Sequence, residues 1–168
     1  MKKSIIILSF LTMTISSFKT ITEYRIAKSD AAAERMAVSV VNALRHRSLQ
    51  EYTELFPSVE AFHQIMEKNA SFYGENLAEA KEEFEVNYTL NVLPALNQSF
   101  KTIIAQGLKE GIDWSTIKLI SFELNEQTAD APSTIAFSSN DKKYRLEFDR
   151  TLHINGEWKV SQYVKLCY

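Results

Sequence analysis

Three histidines, one cysteine and several acids are the side chains here that could do acid–base, nucleophilic or metal chemistry, and their spacing limits each. His46, His63 and His153 share no ligand spacing. With no His-Glu-x-x-His run and no cysteine pair, the sequence predicts no zinc site and no other metal. His153 and Glu157 flank Asn155-Gly156 and could pair as a general base with its orienting carboxylate; the plainer reading is a solvated cross-strand pair at a hairpin tip. Glu82, Glu83 and Glu85 read as a solvated helix face. No Gly-x-Ser-x-Gly elbow is present, and the glycines at 74, 107, 111 and 156 are too scattered to cradle a phosphate. Cys167, the sole cysteine, excludes an internal disulfide and reads as a strand-end side chain rather than a nucleophile. No catalytic residue and no cofactor is expected on these grounds.

The remaining candidates emerge from the elements that must hold them. Between Tyr144 and Tyr168 apolar residues take even positions: Tyr144, Leu146, Phe148, Leu152 and Ile154, then Trp158, Val160, Val164 and Leu166. Asn155-Gly156 divides the two runs. A period of two about Asn-Gly predicts a β-hairpin with one buried face. A plain two-residue turn would pair His153 with Trp158 and send the two apolar runs to opposite faces, so a three-residue loop with a bulge at Gly156 is expected. Leu152 then faces Trp158, Arg150 faces Val160, Phe148 faces Gln162, Leu146 faces Val164 and Tyr144 faces Leu166. Arg150 and Gln162 become the polar exceptions on a dry face. An unpaired buried charge costs several kcal/mol, so Arg150 needs a carboxylate, a ligand or a route to water. Arg150 and Gln162, with Trp158, Phe148 and Tyr144 about them, are the predicted ligand-binding residues, suited to an acidic or carbonyl-bearing ligand.

Upstream, the elements are helical. Ser29 or Asp30 can cap a helix whose apolar face is Ala33, Met36, Ala37, Val40 and Leu44, closed by Arg45, His46 and Arg47. A short helix covers Leu49 to Phe56 and stops at Pro57. Ser58 caps a third, with Val59, Phe62, Ile65 and Met66 inward. A long helical pattern runs from about Asn76 to Leu108, with Pro94 inside it; the missing N–H predicts a kink or break there. After Trp114 the period falls to two. Ile120, Phe122 and Leu124 mark one strand. Asn125 to Pro132 is a polar loop, and Ile135 and Phe137 mark a second strand. Ser138 to Asp141 is a turn before the final hairpin. Helices first and four strands after read as α+β, with one long kinked helix packed on a twisted antiparallel sheet of four or more strands.

The 168 residues suit one domain with a sizeable core, and 45% hydrophobic with 24% charged residues is ordinary for a globular chain. Lys2 and Lys3 precede an apolar run from Ile5 to Ile15, the pattern of a secretory signal peptide and too short for a spanning helix. The expected organisation is signal peptide 1–18, linker 19–29 and one α+β domain over 30–168, in a bacterial protein that is periplasmic or secreted. Removing residues 1–18 takes two of the 19 basic residues and none of the 21 acidic ones, leaving a net charge of −4. With no basic cluster longer than Arg45-His46-Arg47, a nucleic-acid partner is not expected. Nor is a stable membrane span after signal removal.

Two segments carry a resemblance. Arg47-Ser48-Leu49-Gln50-Glu51-Tyr52-Thr53-Glu54-Leu55-Phe56-Pro57 resembles the short second helix of nuclear-transport-factor-2-like proteins, and Asn155-Gly156-Glu157-Trp158-Lys159-Val160 is similar to the ending of their last strands. That superfamily, grouped with cystatin-like folds, wraps a coiled antiparallel sheet around a helix to enclose an apolar cavity. The resemblance implies a binding module for a small amphiphilic ligand held between helices and sheet, or one that docks another envelope protein; a dimer is compatible with it. Enzymes of the superfamily place an acid in the cone, and no acid falls on the dry face of the hairpin, so a non-enzymatic binding module is the first expectation. An isomerase or hydratase using the same cavity is the alternative, and an inhibitor or accessory subunit of an envelope protein the third.

Overall fold

The computed structural model describes residues 31–124, 132–149, 151–160 and 164–167. The expected signal peptide and linker, the first helix's cap, all but the last residue of the 125–132 loop, Arg150 and Gln162 lie outside them.

Helix α1 (Ala31–His46) buries Ala33, Met36, Ala37, Val40 and Leu44 as their spacing predicts, with Val41 and Ala43 widening the stripe. A broad apolar stripe needs more than one neighbour, and α1 packs on both the first and the fifth strand. Its last turn is anchored by Arg45, whose Nη2 and Nε donate to the Ile117 carbonyl at 2.8 and 3.3 Å. Arg47 adopts a left-handed φ of 51° and turns the chain. Ser48 then caps α2 (Leu49–Glu54), accepting from the Glu51 N–H, and Ser58 caps α3 (Val59–Lys68), accepting from the Ala61 N–H. A short α4 (Ala70–Tyr73) and a 3₁₀ turn (Gly74–Asn76) lead into α5 (Leu77–Asn87).

The break expected at Pro94 takes a specific form. Between α5 and α6 (Leu93–Lys109) the chain makes a π turn over Tyr88–Val92, with the Leu93 N–H bonded to the Tyr88 carbonyl five residues back. Proline at 94 supplies no N–H and its ring crowds the carbonyl of residue 90, so the wider turn relieves both problems without ending the helix. Beyond it α6 buries Leu96, Phe100, Ile103 and Gly107. Gly107 lies so close to Trp114 that a Cβ would sit 2.1 Å from its ring. The Trp114 indole N–H, in the 3₁₀ turn Trp114–Thr116, donates back to the Ile104 carbonyl at 3.2 Å.

Among the described residues six strands follow: β1 (Lys118–Glu123), β2 (Ser133–Ser139), β3 (Lys142–Phe148), β4 (Thr151–Ile154), β5 (Glu157–Val160) and β6 (Val164–Cys167). The main sheet has the order β1-β2-β3-β6, all antiparallel, and β4 with β5 forms a second ladder beyond β3 and β6. The architecture is α+β, as the order of elements predicts. Ile135, Phe137, Tyr144, Leu146, Phe148 and Leu166 form the sheet's side of one core with α1 and α6. The long helix packs on the sheet through α6, against β6, whereas α5 packs on α3.

Two sequence expectations are corrected. In β1 the partners step from Leu119–Phe137 to Ser121–Ala136, so Ile120 is an extra residue at a bulge and is exposed rather than inward. The bulge reconciles buried Ile117 with buried Leu124, which an unbroken alternation would set on opposite faces.

The second correction concerns the final hairpin. Its turn is the two-residue Asn155-Gly156, with φ of 52° and 85°, both left-handed as a type I′ turn demands. His153 therefore pairs with Trp158, Ile154 with Glu157, Leu152 with Lys159 and Thr151 with Val160. Nearer the core Phe148 pairs with Val164 and Leu146 with Leu166. None of the five pairs expected from a bulged loop is formed. The expectation assumed one phase along the whole arm. Burial instead passes from Phe148 to Thr151, from even to odd positions. Thr151 thus shares the buried side with Trp158 and Val160, and Leu152 and Ile154 turn the other way, half-buried.

Candidate functional site

A groove of about 640 Å³ opens where three segments far apart in sequence meet. Its first wall is the end of α2 and the start of α3, from Thr53 to Gln64. Its second is Tyr88 and Leu93, at either end of the π turn. Its third is the β4–β5 tip: Ile154, Asn155, Glu157 and Lys159. Backbone and side-chain bonds hold these walls together. The Val160 N–H donates to the Leu55 carbonyl at 2.8 Å, seating β5 on the end of α2. The Asn155 amide donates to Gln64 at 2.9 Å and accepts from Lys68 Nζ at 3.1 Å, tying the turn to α3.

The lining divides by chemistry. Phe56 and Tyr88, both buried, with Leu93 and half-buried Ile154, give an apolar floor. Glu54, Glu60 and Glu157 bring three carboxylates to the rim, against one cation, Lys159. That cation is engaged: its Nζ lies 3.3 Å from Glu157 and donates to the Glu54 carbonyl at 3.2 Å. Glu60 sits in the first turn of α3, where its own backbone N–H and the Ser58 hydroxyl hold its carboxyl below the usual range. Burial raises the Tyr88 phenol, and the negative charge of Glu60 raises it further, so Tyr88 stays a neutral donor. The arrangement suits a ligand with an apolar body and a hydrogen-bond-donating or cationic head. Among the described residues no group of three or more His, Cys, Asp and Glu is placed to hold a metal ion.

Three of the residues predicted from sequence, Tyr144, Phe148 and Trp158, lie elsewhere, and Arg150 and Gln162 fall outside the described residues. Tyr144 stacks on Phe137 with ring centroids 5.6 Å apart and donates its hydroxyl to the Glu110 carbonyl at 3.4 Å. Phe148 is fully buried in the core. Trp158 is buried, its ring 5.3 Å from that of His153. None of the three lines the groove. His153 stands exposed beside Trp158 rather than opposite Glu157, so the imagined imidazole–carboxylate pair is replaced by a ring contact. His46 instead meets a carboxylate, Glu51, at 2.9 Å on the surface between α1 and α2. Two signals for the groove were present in the sequence: the Pro57-Ser58 helix break and the Asn155-Gly156 turn. Nothing in the spacing showed that they meet.

Fold and groove together define an α+β protein with a helical layer on an antiparallel sheet and an open, acid-rimmed cleft at one end of it. Comparison with protein-family models, with curated proteins and with solved structures finds no match to the chain. Among the described residues no helix is long and apolar enough to cross a membrane.

Proposed function

We propose that this chain is an exported binding module, of nuclear-transport-factor-2-like or cystatin-like kind, that holds a small amphiphile in the groove between α2–α3, the π turn and the β4–β5 tip. The observation that carries the reading is the division of the groove's lining into an aromatic and aliphatic floor and a rim with three carboxylates and one neutralised lysine. The ligand's apolar part lies over Phe56, Leu93 and Ile154, and its donor or cationic head meets Glu54 and Glu60. Export is supported by Lys2-Lys3 and the apolar run behind them.

Dodecylammonium and dodecanoate are suitable probes, read by calorimetry on the purified protein, with native mass spectrometry for any ligand carried through purification. Dodecylammonium is expected to bind and dodecanoate to bind much more weakly, and Ile154→Asp at the half-exposed floor should abolish binding without unfolding the chain. Binding that Ile154→Asp leaves intact, or no binding of either probe, removes the groove as the site. Export is checked separately, by N-terminal sequencing of the envelope fraction, which should begin after the apolar run.

A further inference from the structure

The long helix carries a second surface, independent of the groove. None of the residues of α5 is fully buried, and its packing neighbours among the described elements are the helical segments around it. Its outer face is not uniformly polar. Glu79, Glu83, Val86 and Leu90 recur at steps of four, three and four residues, which places them on one side of an α-helix. Val86 is 52% and Leu90 67% exposed, the latter the most exposed large aliphatic side chain described. Past the π turn, Pro94 and Lys101 lie four and eleven residues beyond Leu90, and both are exposed. Glu79, Glu83 and Lys101 form no ion pair among the described residues.

This face is complementary to itself. Glu79 and Lys101 each lie eleven residues from Leu90, on opposite sides of it, as Val86 and Pro94 each lie four. We infer that the outer face of the long helix is a homodimer interface, two copies crossing antiparallel about a two-fold axis at Leu90. Leu90 then meets Leu90, Val86 of each copy meets Pro94 of the other, and Glu79 of each lies level with Lys101 of the other, at both ends. A closed two-fold contact of this kind needs one patch only. The parallel alternative stacks carboxylates on carboxylates, so charge selects the orientation. The apolar centre supplies the burial and the flanking pairs set the register.

Sedimentation equilibrium at low ionic strength, over roughly 10 to 500 µM where an interface of modest area associates, tests this. A monomer–dimer equilibrium is expected. Leu90→Glu should abolish it. Lys101→Glu should weaken it at least about tenfold, and adding Glu79→Lys to Lys101→Glu should restore it with net charge unchanged. All three positions are exposed, so circular dichroism should show each variant folded. A chain that stays monomeric throughout overturns the inference, as does a dimer indifferent to Leu90→Glu. A charge exchange that fails to restore association overturns the antiparallel pairing.

Discussion

The two halves of the long helix continue one another along the chain, yet they are held in different ways. In α6, Leu96, Phe100, Ile103 and Gly107 are buried, between α2 on one side and β6 and Trp114 on the other. In α5 no residue is buried, and its inward side chains, Phe84 among them, meet α3. The π turn at Tyr88–Val92 is the boundary. The difference teaches that most helical stability comes from what a helix packs against. It divides the molecule into a sheet-backed body and an arm of α3, α4 and α5 with fewer buried side chains, for which a lower local stability is expected. The groove lies where arm and body meet.

The largest expected effect separates the two halves by the same substitution. Phe100→Ala, in the body, should cost about 3–5 kcal/mol in urea unfolding. Phe84→Ala should cost less than half as much, because Phe84 is half-buried, its ring centroid 4.5 Å from that of Phe62 in a tilted contact and 6.0 Å from that of Tyr88. Equal losses would erase the distinction between arm and body. Next comes Gly107→Ala: the added Cβ meets the fully buried Trp114 ring at 2.1 Å, and overpacking should cost about 1–3 kcal/mol. A neutral or stabilising result, as for an exposed helix glycine, would show the Trp114 contact to be soft.

Smaller effects are read by titration. Burial pushes the Tyr52 phenol, in the body, up to about 12, against a smaller pull downward from Ser99. Tyr73, in the arm, and Tyr88, at the boundary, are also raised by burial. For a phenol raised on folding, the stability it contributes is complete below its unfolded pKa of 10.0 and is lost as pH climbs toward about 12. Ultraviolet titration of single Tyr→Phe variants should therefore place Tyr52 last to ionise; Tyr88 ionising after it would reverse the comparison.

Acid acts mildly on both regions. Glu67, lowered by its hydrogen bond to Lys81 and that residue's charge, and Glu60 belong to the arm. Asp113, lowered by the Ser115 hydroxyl and N–H, belongs to the body. Each contributes stability above its unfolded pKa that disappears as pH falls through its lowered folded value. Glu60 and Glu67 are exposed and Asp113 is only partly covered, so the effects are small, and salt should weaken the Glu67 contribution. Far-UV circular dichroism through an acid titration should show the arm losing helix first. Lys81→Met should remove most of the part due to Glu67; an unchanged profile would assign the acid sensitivity elsewhere.

Much of the helical layer was legible because its stops are local. Ser58 caps its helix through its own side chain, and Pro94 disturbs the ladder wherever the helix packs. The α+β order followed from the change of period after Trp114. The final hairpin was legible as a hairpin but not in register. Alternation reports which side a residue faces only while the phase persists, and it changes between Phe148 and Thr151 as it does at Ile120. The candidate site was legible only in part, and for a related reason. Tyr144, Phe148 and Trp158 do face inward, but alternation cannot tell a face filled by packing from one lining a cavity.

The sequence by itself determined the elements, their caps and breaks, and the apolar faces that had to be covered, because these depend on neighbours within a few residues. Only the tertiary structure decided which faces were covered and which left open. The seating of β5 on the end of α2, the packing of one half of the long helix on the sheet and of the other on α3, and the meeting of Phe56, Tyr88 and Ile154 around one groove join segments dozens of residues apart. Local propensity carries no information about such meetings; they are settled by burying the whole set of apolar faces at once.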